Sequence, residues 1–351
     1  VVFNQFRGFS WWEYYDTSTG FIEFMGYPFI QFFGFSYEAM MVLFSWFGLL
    51  GFYFFYIVLN ERVQYTHTFM GYDLVVLLLF LPNLHYWSAS FGKGSIIFLG
   101  FGLYFYALNR VGQRLIPLVL GSLIIYHVRP HIFLVVAMAS AWGFVFSTRG
   151  ISWTLRFFVI LLSIGAISLV YDDVIKLTGI DEENVVGNVM SMDLRTTDLM
   201  KAGSGVDITQ YNIFMKLFTF WFRPLFVDSH NFMSFVVSFE NVFYLIIFSY
   251  IVRNDFLRFF QGSDHVVKAA FISFIGVSFV MAQLCANLGL AIRQKSQVMP
   301  LMLFVILKYL DNKRYDEEQL KERRKRIEEN RAVARRQRMQ ARDESLTGAS
   351  I

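Results

Sequence analysis

The chain has 351 residues, of which 56% are hydrophobic, 19% aromatic and 17% charged, with a formal net charge of +4. Soluble domains carry charged side chains at about a quarter of their positions, so this composition excludes an ordinary soluble domain and indicates an integral membrane protein. The single cysteine, Cys285, excludes an internal disulfide and a cysteine-based metal cluster. Since 12 of the 31 basic side chains lie in the tail after residue 310, the basic balance does not indicate nucleic-acid binding.

The first segment, 1–37, is aromatic and lightly charged, with WWEYYDTSTGFIEF (11–24) at its centre. Glu13, Asp16 and Glu23 interrupt it, which predicts interfacial helices on the periplasmic side rather than a span. Glu13 and Asp16 are candidates for a general base or a metal ligand facing the membrane. The alternative is an interfacial helix whose acids lie in water. Because the chain starts with Val1, we expect a further segment upstream. Nine spans would place the first residue outside, so a further span upstream would restore an internal N-terminus.

Regions 38–171 and 232–310 are predicted to be transmembrane, because a spanning helix needs about 20 mostly apolar residues and broken spans need fewer. The sequence predicts an all-α, polytopic bundle. Its nine spans are expected at 38–59, 71–84, 94–109, 115–127, 131–148, 153–171, 232–252, 267–290 and 297–310. The motif HVRPH (127–131) predicts a tight hairpin with its break at Pro130.

Charge sets the predicted orientation, since cytoplasmic loops of membrane proteins are enriched in Lys and Arg. The tail, 311–351, is expected in the cytoplasm as one polar helix that binds anionic lipid or a protein partner. The short basic loops that share its side contain Arg62, Arg110, Arg114, Arg149, Arg156, Arg253, Arg258 and Lys268. We therefore predict a multi-pass membrane protein with its C-terminus in the cytoplasm.

The opposite face nevertheless collects cations, against the usual bias. Its predicted phosphate-binding residues are Lys93, Arg129, Arg223, Arg293 and Lys295. Guanidinium groups match phosphate oxygens, so the cluster fits a phosphate or pyrophosphate on a lipid. Arg129 and Arg293 are favoured because each is expected in a very short turn between apolar helices. The alternatives are snorkelling to headgroups or local salt bridges.

The connection 172–231 is predicted to be an exposed loop with a short helix, followed by an aromatic interfacial segment over 218–232. It forms either a lid over an outer cavity or a disordered strap. It contributes His230, which with His131 is a candidate proton acceptor; a histidine bonded to a backbone carbonyl is the alternative. Asp172 and Asp173 suit a divalent cation or are merely solvated. Pro130 breaks the helical spacing of His127 and His131, so no metal site is predicted.

Glu240 lies inside the apolar run 232–252. A carboxylate at membrane depth requires a partner or a raised pKa. We predict a structural buried charge paired with an outer-face arginine, with catalysis as the alternative.

Five stretches resemble bacterial polysaccharide-associated membrane proteins, the Wzy/EpsG-like polymerases and the GT-C-type glycosyltransferases. They are GFSYEAMMVLFSWFGLLGFYFFY (34–56), LPNLHYWSASFGKGSIIFLGFGLYFYAL (81–108), RPHIFLVVAMA (129–139), FRPLFVDSHNFMSFVVSFEN (222–241) and NLGLAIRQKSQVMPLMLF (287–304). The resemblance implies chemistry on a polyprenyl-phosphate-linked sugar at the periplasmic face. It also implies a catalytic acid in the first outer loop, where Glu13 and Asp16 lie without forming an acidic pair, or outer-loop arginines, matching Arg129 and Arg293.

Taken with these features, the resemblance implies a protein of the bacterial inner membrane that transfers or polymerises sugars from polyprenyl-(pyro)phosphate carriers in cell-envelope glycan assembly. The arginines would hold the phosphate, and His131, His230 or Asp16 would take the proton from the acceptor hydroxyl. Two other classes stay open. One is a non-catalytic subunit of a larger envelope complex; the other is a lipid or solute transporter, which would need polar residues along a path through the bilayer.

Overall fold

The computed structural model describes residues 10–147, 205–208, 210–229, 231–249, 255–284 and 287–348, with a few positions between 152 and 165. The described part is almost entirely α-helical. Its strands form one short antiparallel pair, β1 (Thr68–Phe69) and β2 (Tyr72–Asp73). The all-α prediction is confirmed at this level.

The helices follow the predicted apolar segments closely. Three-residue and four-residue 3-10 turns lie at Trp11–Tyr14, Val111–Gln113 and Phe226–Asp228. The α-helices are α1 (Thr19–Gln31), α2 (Tyr37–Arg62), α3 (Leu74–Leu79), α4 (Pro82–Ser88), α5 (Lys93–Asn109), α6 (Leu115–Val128), α7 (Pro130–Val145), α8 (Ile213–Phe222), α9 (Phe232–Phe248), α10 (Asp255–Gly262), α11 (His265–Leu284) and α12 (Leu288–Gly348).

Three of the described helices are long and apolar enough to cross a bilayer: α2, α11 over His265–Gln283, and α12 over Leu288–Gln337. Shorter apolar helices, of 10–17 residues, accompany them. These lengths indicate a membrane protein. The predicted span 153–171 lies largely outside the described residues.

Local chemistry sets the helix starts. The Ser36 hydroxyl accepts the Ala39 N–H at 3.3 Å and begins α2. Asp73 accepts the Val75 N–H at 2.7 Å and begins α3. Pro82 stands at the first position of α4, so the predicted span 71–84 is two short helices. The predicted break at Pro130 is confirmed, because α6 ends at Val128 and α7 begins at Pro130.

Helix α5 lies at the centre of the bundle and is buried along nearly its whole length. It packs against α2 and α6, while α7 packs against α11. Small residues allow the close approach: a Cβ at Gly102 would lie 2.8 Å from the Gly51 carbonyl oxygen, and one at Gly121 would lie 2.8 Å from the Tyr104 nitrogen. The glycines therefore set the spacing of α2, α5 and α6.

One end of the bundle collects charged groups. Arg62, the last residue of α2, pairs with Asp264, which precedes α11. Arg114 holds Glu61 through two hydrogen bonds of 2.5 and 3.0 Å. Lys308 donates to the Arg62 carbonyl at 2.8 Å. Within the described residues, the ends of α2 and α5 and the start of α11, all predicted to lie on the cytoplasmic side, thus meet at one end of the helices.

Residues 309–351 form a separate compact unit, the C-terminal part of α12. Its described side chains are mostly exposed, including Leu320, Ile327 and Val333. An i,i+4 ion pair joins Arg314 and Glu318 at 3.8 Å. This part of the chain is a polar helix, as predicted.

Candidate functional site

A cavity of about 510 Å³ lies where several helices begin. This volume falls within the range of roughly 300–1,000 Å³ typical of ligand sites. We call it the cationic cavity. Its lining residues are Thr19, Ile22, Glu23, Tyr37, Phe91, Gly92, Lys93, Arg129, Leu290 and Arg293.

Helix starts surround the cationic cavity. Thr19, Tyr37 and Lys93 are the first residues of α1, α2 and α5. Arg129 immediately precedes α7, and Arg293 lies in the second turn of α12. The first four N–H groups of a helix lack intrahelical acceptors and form the positive end of its dipole. Several such ends add to the charge of the three basic side chains.

Arg129 is the single non-helical residue between α6 and α7. The following Pro130 disfavours helical geometry at this position, which turns the chain here. The Arg129 side chain is half-buried, and its Nη1 lies 3.5 Å from the Met281 sulfur. The predicted short turn is present and places this guanidinium at the cavity.

Arg293 also lines the cationic cavity, but its secondary structure differs from the prediction. It lies inside α12, not in a turn. The helix begins earlier because the Asn287 side chain accepts the Leu290 N–H at 3.1 Å, which is the geometry of an N-cap. The Arg293 guanidinium carbon lies 5.4 Å from the centre of the Trp87 ring, a cation–π contact. The predicted turn at Arg293 is therefore wrong, although the residue still lines the cavity.

Lys93 is the third cation. Its Nζ donates to the Ser18 hydroxyl at 2.6 Å. Burial lowers the Lys93 pKa to about 8, helped by the positive charges of Arg129 and Arg293 and opposed by Glu23. Burial is therefore the main reason that the charged form of Lys93 is disfavoured, and the neighbouring arginines add to this effect.

Glu23 is the one carboxylate among the described residues that line the cationic cavity. It lies one helical turn after Thr19, and Ile22 completes the same face of α1. The i, i+3, i+4 spacing of Thr19, Ile22 and Glu23 is the sequence pattern that could have identified Glu23. We selected Glu13 and Asp16 instead. Those two acids do not line the cavity: Glu13 accepts from Ser10 at 2.9 Å, and Asp16 accepts the Thr17 N–H at 2.6 Å, both on the surface.

The histidines differ in their surroundings. His127 bonds to the Leu123 carbonyl at 2.8 Å through Nδ1 and to the Tyr15 hydroxyl at 2.9 Å through Nε2. His131 is half-buried and within electrostatic range of Arg129 and Lys93, but it does not line the cavity.

His230, Asp172 and Asp173 lie outside the described residues, as does most of the predicted lid. In the described ranges, no group of three His, Cys, Asp or Glu could hold a metal ion.

Two predicted phosphate ligands have other partners. Arg223 forms a two-pronged pair with Asp228, at 2.6 and 3.0 Å, and donates to the Tyr211 hydroxyl at 3.3 Å. Lys295 is fully buried and donates to Asn241 Oδ1 at 2.5 Å and to the Arg223 carbonyl at 3.1 Å. Neither side chain lines the cationic cavity.

Glu240 is buried and accepts two hydrogen bonds, from the Asn83 backbone N–H at 2.8 Å and from the Tyr244 hydroxyl at 2.7 Å. The charged side chain that acts electrostatically on Glu240 is Lys295, not an arginine. The predicted arginine partner is wrong because α12 turns Lys295 inward toward α9. The carboxylate joins α4 to α9.

Comparison with family models, with curated proteins and with solved structures finds no match to this chain.

Proposed function

We propose that the cationic cavity binds the phosphate or pyrophosphate group of a lipid-borne substrate. The protein would be a nine-span protein of the bacterial inner membrane, with its C-terminus in the cytoplasm. It would transfer or polymerise sugars from polyprenyl-(pyro)phosphate carriers at the periplasmic face, in line with the Wzy/EpsG-like and GT-C-type resemblance. The observation that carries the proposal is the convergence of Arg129, Arg293 and Lys93 on one cavity.

The charge balance of the cavity supports an anionic ligand. Three basic side chains face one carboxylate there, Glu23. Among the described residues, no carboxylate forms an ion pair with Lys93 or Arg293. Burial is the main cause of the lowered pKa of Lys93, and repulsion from Arg129 and Arg293 adds to it. A phosphate would remove that repulsion and accept charge-assisted hydrogen bonds.

The position of the cavity supports a lipid-borne ligand. Tyr37 and Arg62 are the two ends of α2, and a helix of 26 residues is about 39 Å long. The cavity at Tyr37 and the ion pairs at Arg62 are therefore separated by roughly the thickness of a bilayer. Exposed aromatic residues, typical of membrane interfaces, lie in the sequence around the cavity end: Trp12, Tyr15, Phe32, Phe33 and Tyr37.

The residues that line the cationic cavity also suit the transfer of a sugar to an acceptor hydroxyl. The acceptor hydroxyl oxygen would bond to the anomeric carbon of the donor sugar, while the bond from that carbon to the phosphate oxygen breaks. The phosphate leaves with the electron pair, and Arg129 and Arg293 stabilise the developing charge. Glu23 takes the hydroxyl proton as general base. This role falls to Glu23 because Glu13 and Asp16 lie outside the cavity.

The test is a pair of substitutions, Arg129→Ala and Arg293→Ala, in protein purified in phosphatidylcholine nanodiscs. Binding of a prenyl phosphate should weaken at least tenfold in each, since a hydrogen bond to a charged group contributes about 1.5–3 kcal/mol. Arg110→Ala is the matched control, because this half-exposed arginine lies at the other end of the bundle. Unchanged binding in both cavity variants contradicts the proposal.

Catalysis is tested separately from binding. Glu23→Gln keeps the shape of the side chain and removes the base, so binding should remain while product formation from a polyprenyl-linked donor falls by about 10²–10⁴-fold. If wild-type protein binds the phosphate lipid but forms no product with any such donor, the non-catalytic subunit is the better assignment.

A further inference from the structure

A second cavity, of about 610 Å³, is lined by residues of α4, α9 and the start of α12. The first two turns of α12 line both cavities. Leu288, Gly289 and Ile292 face the second cavity, whereas Leu290 and Arg293 face the cationic one. The i,i+4 and i,i+3 spacings place these two sets on adjoining faces of one helix.

Several polar groups around the second cavity already have partners. Asn231 and Ser234 cap each other at the start of α9, with bonds of 2.8 and 3.1 Å. Asp228 is held by Arg223. The Asn83 amide donates to the Ile292 carbonyl at 3.1 Å. The surface that remains for a ligand is mainly apolar.

The other side chains that line the second cavity indicate which class of ligand it can hold. Met233, Val236, Val237 and Ile292 offer hydrocarbon, and Trp87 offers an aromatic face. A sugar has many hydroxyl groups, each of which loses free energy when buried without a hydrogen-bond partner. A hydrocarbon chain has no such cost. The lining therefore favours a chain over a sugar.

We propose that the second cavity holds the first part of the hydrocarbon chain of the lipid whose phosphate lies in the cationic cavity. This inference rests on the proposed function, because the phosphate group fixes which lipid enters. The two cavities flank the first two turns of α12, and Trp87 of the second cavity contacts Arg293 of the cationic cavity; these are the structural reasons for assigning both to one molecule.

The boundary between the cavities fits a phosphate ester. Trp87 lines the second cavity, and Arg293 lines the cationic cavity. The centre of the Trp87 ring lies 5.4 Å from the Arg293 guanidinium carbon. A phosphate ester at this boundary would place its charged oxygens beside Arg293 and its hydrocarbon chain beside the Trp87 ring.

The experiment is photo-crosslinking in phosphatidylcholine nanodiscs with farnesyl phosphate that carries a diazirine on its chain. A saturated alkyl phosphate of equal length forms a second arm, and the corresponding uncharged farnesyl alcohol forms a third. Mass spectrometry maps the labelled peptides. We expect the phosphate probes to label α9 around Val236 and α12 around Ile292, with labelling competed by unlabelled prenyl phosphate. The two phosphate arms show whether the site selects an isoprenoid chain.

Two variants separate a specific site from bulk lipid. Val236→Trp should fill the cavity and reduce α9 labelling at least fivefold, while Val42→Trp, the same change at an exposed position on α2, should not. Equal labelling by the phosphate and alcohol probes, or no effect of Val236→Trp, would mean bulk lipid only and overturn the inference. Failure of the proposed function looks different, since phosphate binding would then be insensitive to Arg129→Ala and Arg293→Ala.

Discussion

The Nζ of Lys93 donates a 2.6 Å hydrogen bond to the Oγ of Ser18. The Ser18 backbone N–H in turn donates to the His127 carbonyl at 2.6 Å. Since Ser18 immediately precedes α1, these two bonds fasten the start of α1 to the start of α5 and the end of α6. The aromatic N-terminal segment thereby becomes a wall of the cationic cavity.

Replacement of Ser18 by Ala tests this attachment. We expect a loss of roughly 1 kcal/mol in the free energy of unfolding, because one half-exposed hydrogen bond to an ammonium group disappears. Thermal unfolding in detergent measures the change. Prenyl phosphate should still bind, since all three cations remain. A loss of binding as large as in Arg129→Ala would show that Ser18 contacts the ligand itself.

Ligand affinity should depend on pH through Lys93. Its pKa of about 8 means that the free protein loses this positive charge as pH rises through 8. The affinity for a prenyl phosphate should therefore fall above pH 8, and binding should take up a proton there. A phosphate monoester is already fully ionised at this pH, because its second pKa is about 6. Titration calorimetry in two buffers of different ionisation enthalpy measures the proton uptake.

The matched control for this prediction is Lys93→Arg, which stays protonated and should abolish the step near pH 8. The lowered pKa of Lys93 also makes the stability of the protein depend on pH. Because folding lowers the Lys93 pKa from its ordinary 10.5, the free energy of unfolding should rise with pH between about 8 and 10.5. A fall over that window would contradict the assignment.

The charged end of the bundle should depend on Arg114 more than on Arg110. Arg114 bonds Glu61 at 2.5 and 3.0 Å and stacks 3.8 Å from the centre of the Tyr106 ring. Arg110 reaches the same carboxylate at 3.6 Å and is half-exposed. We expect Arg114→Ala to lower the free energy of unfolding by about 2 kcal/mol and Arg110→Ala by less than about 1 kcal/mol. Equal effects on the unfolding temperature would contradict this ranking.

Glu240 should behave as a structural residue. Glu240→Ala leaves the Asn83 N–H and the Tyr244 hydroxyl without their acceptor, which costs about 1–3 kcal/mol for each group. Glu240→Gln keeps one carbonyl oxygen and should cost less. Unfolding measurements of both variants, alongside turnover of the Gln variant, check the role. Full stability of Glu240→Ala with abolished turnover would instead indicate catalysis.

Local sequence signals predicted a large part of the fold. The apolar segments located most helices, and Pro130 was recognised as a break because proline acts through its own backbone geometry, which needs no distant partner. Pro82 acts in the same way, but the span predicted at 71–84 ran across it. Arg129 was found for the same reason, as the residue before a proline between two apolar helices. The break before α12 was misplaced because the capping role of Asn287 was not recognised.

Tertiary packing decided which charges share a site. Arg293 and Lys295 are two residues apart, yet α12 turns one toward the cationic cavity and the other into the interior, since residues two apart point to different faces of a helix. Glu23 lies with the cations because long-range contacts, including those of Ser18, fix where α1 lies. Composition and periodicity determine that this chain builds apolar helices. Which side chains meet depends on helix rotation and on long-range contacts, which a linear pattern does not contain.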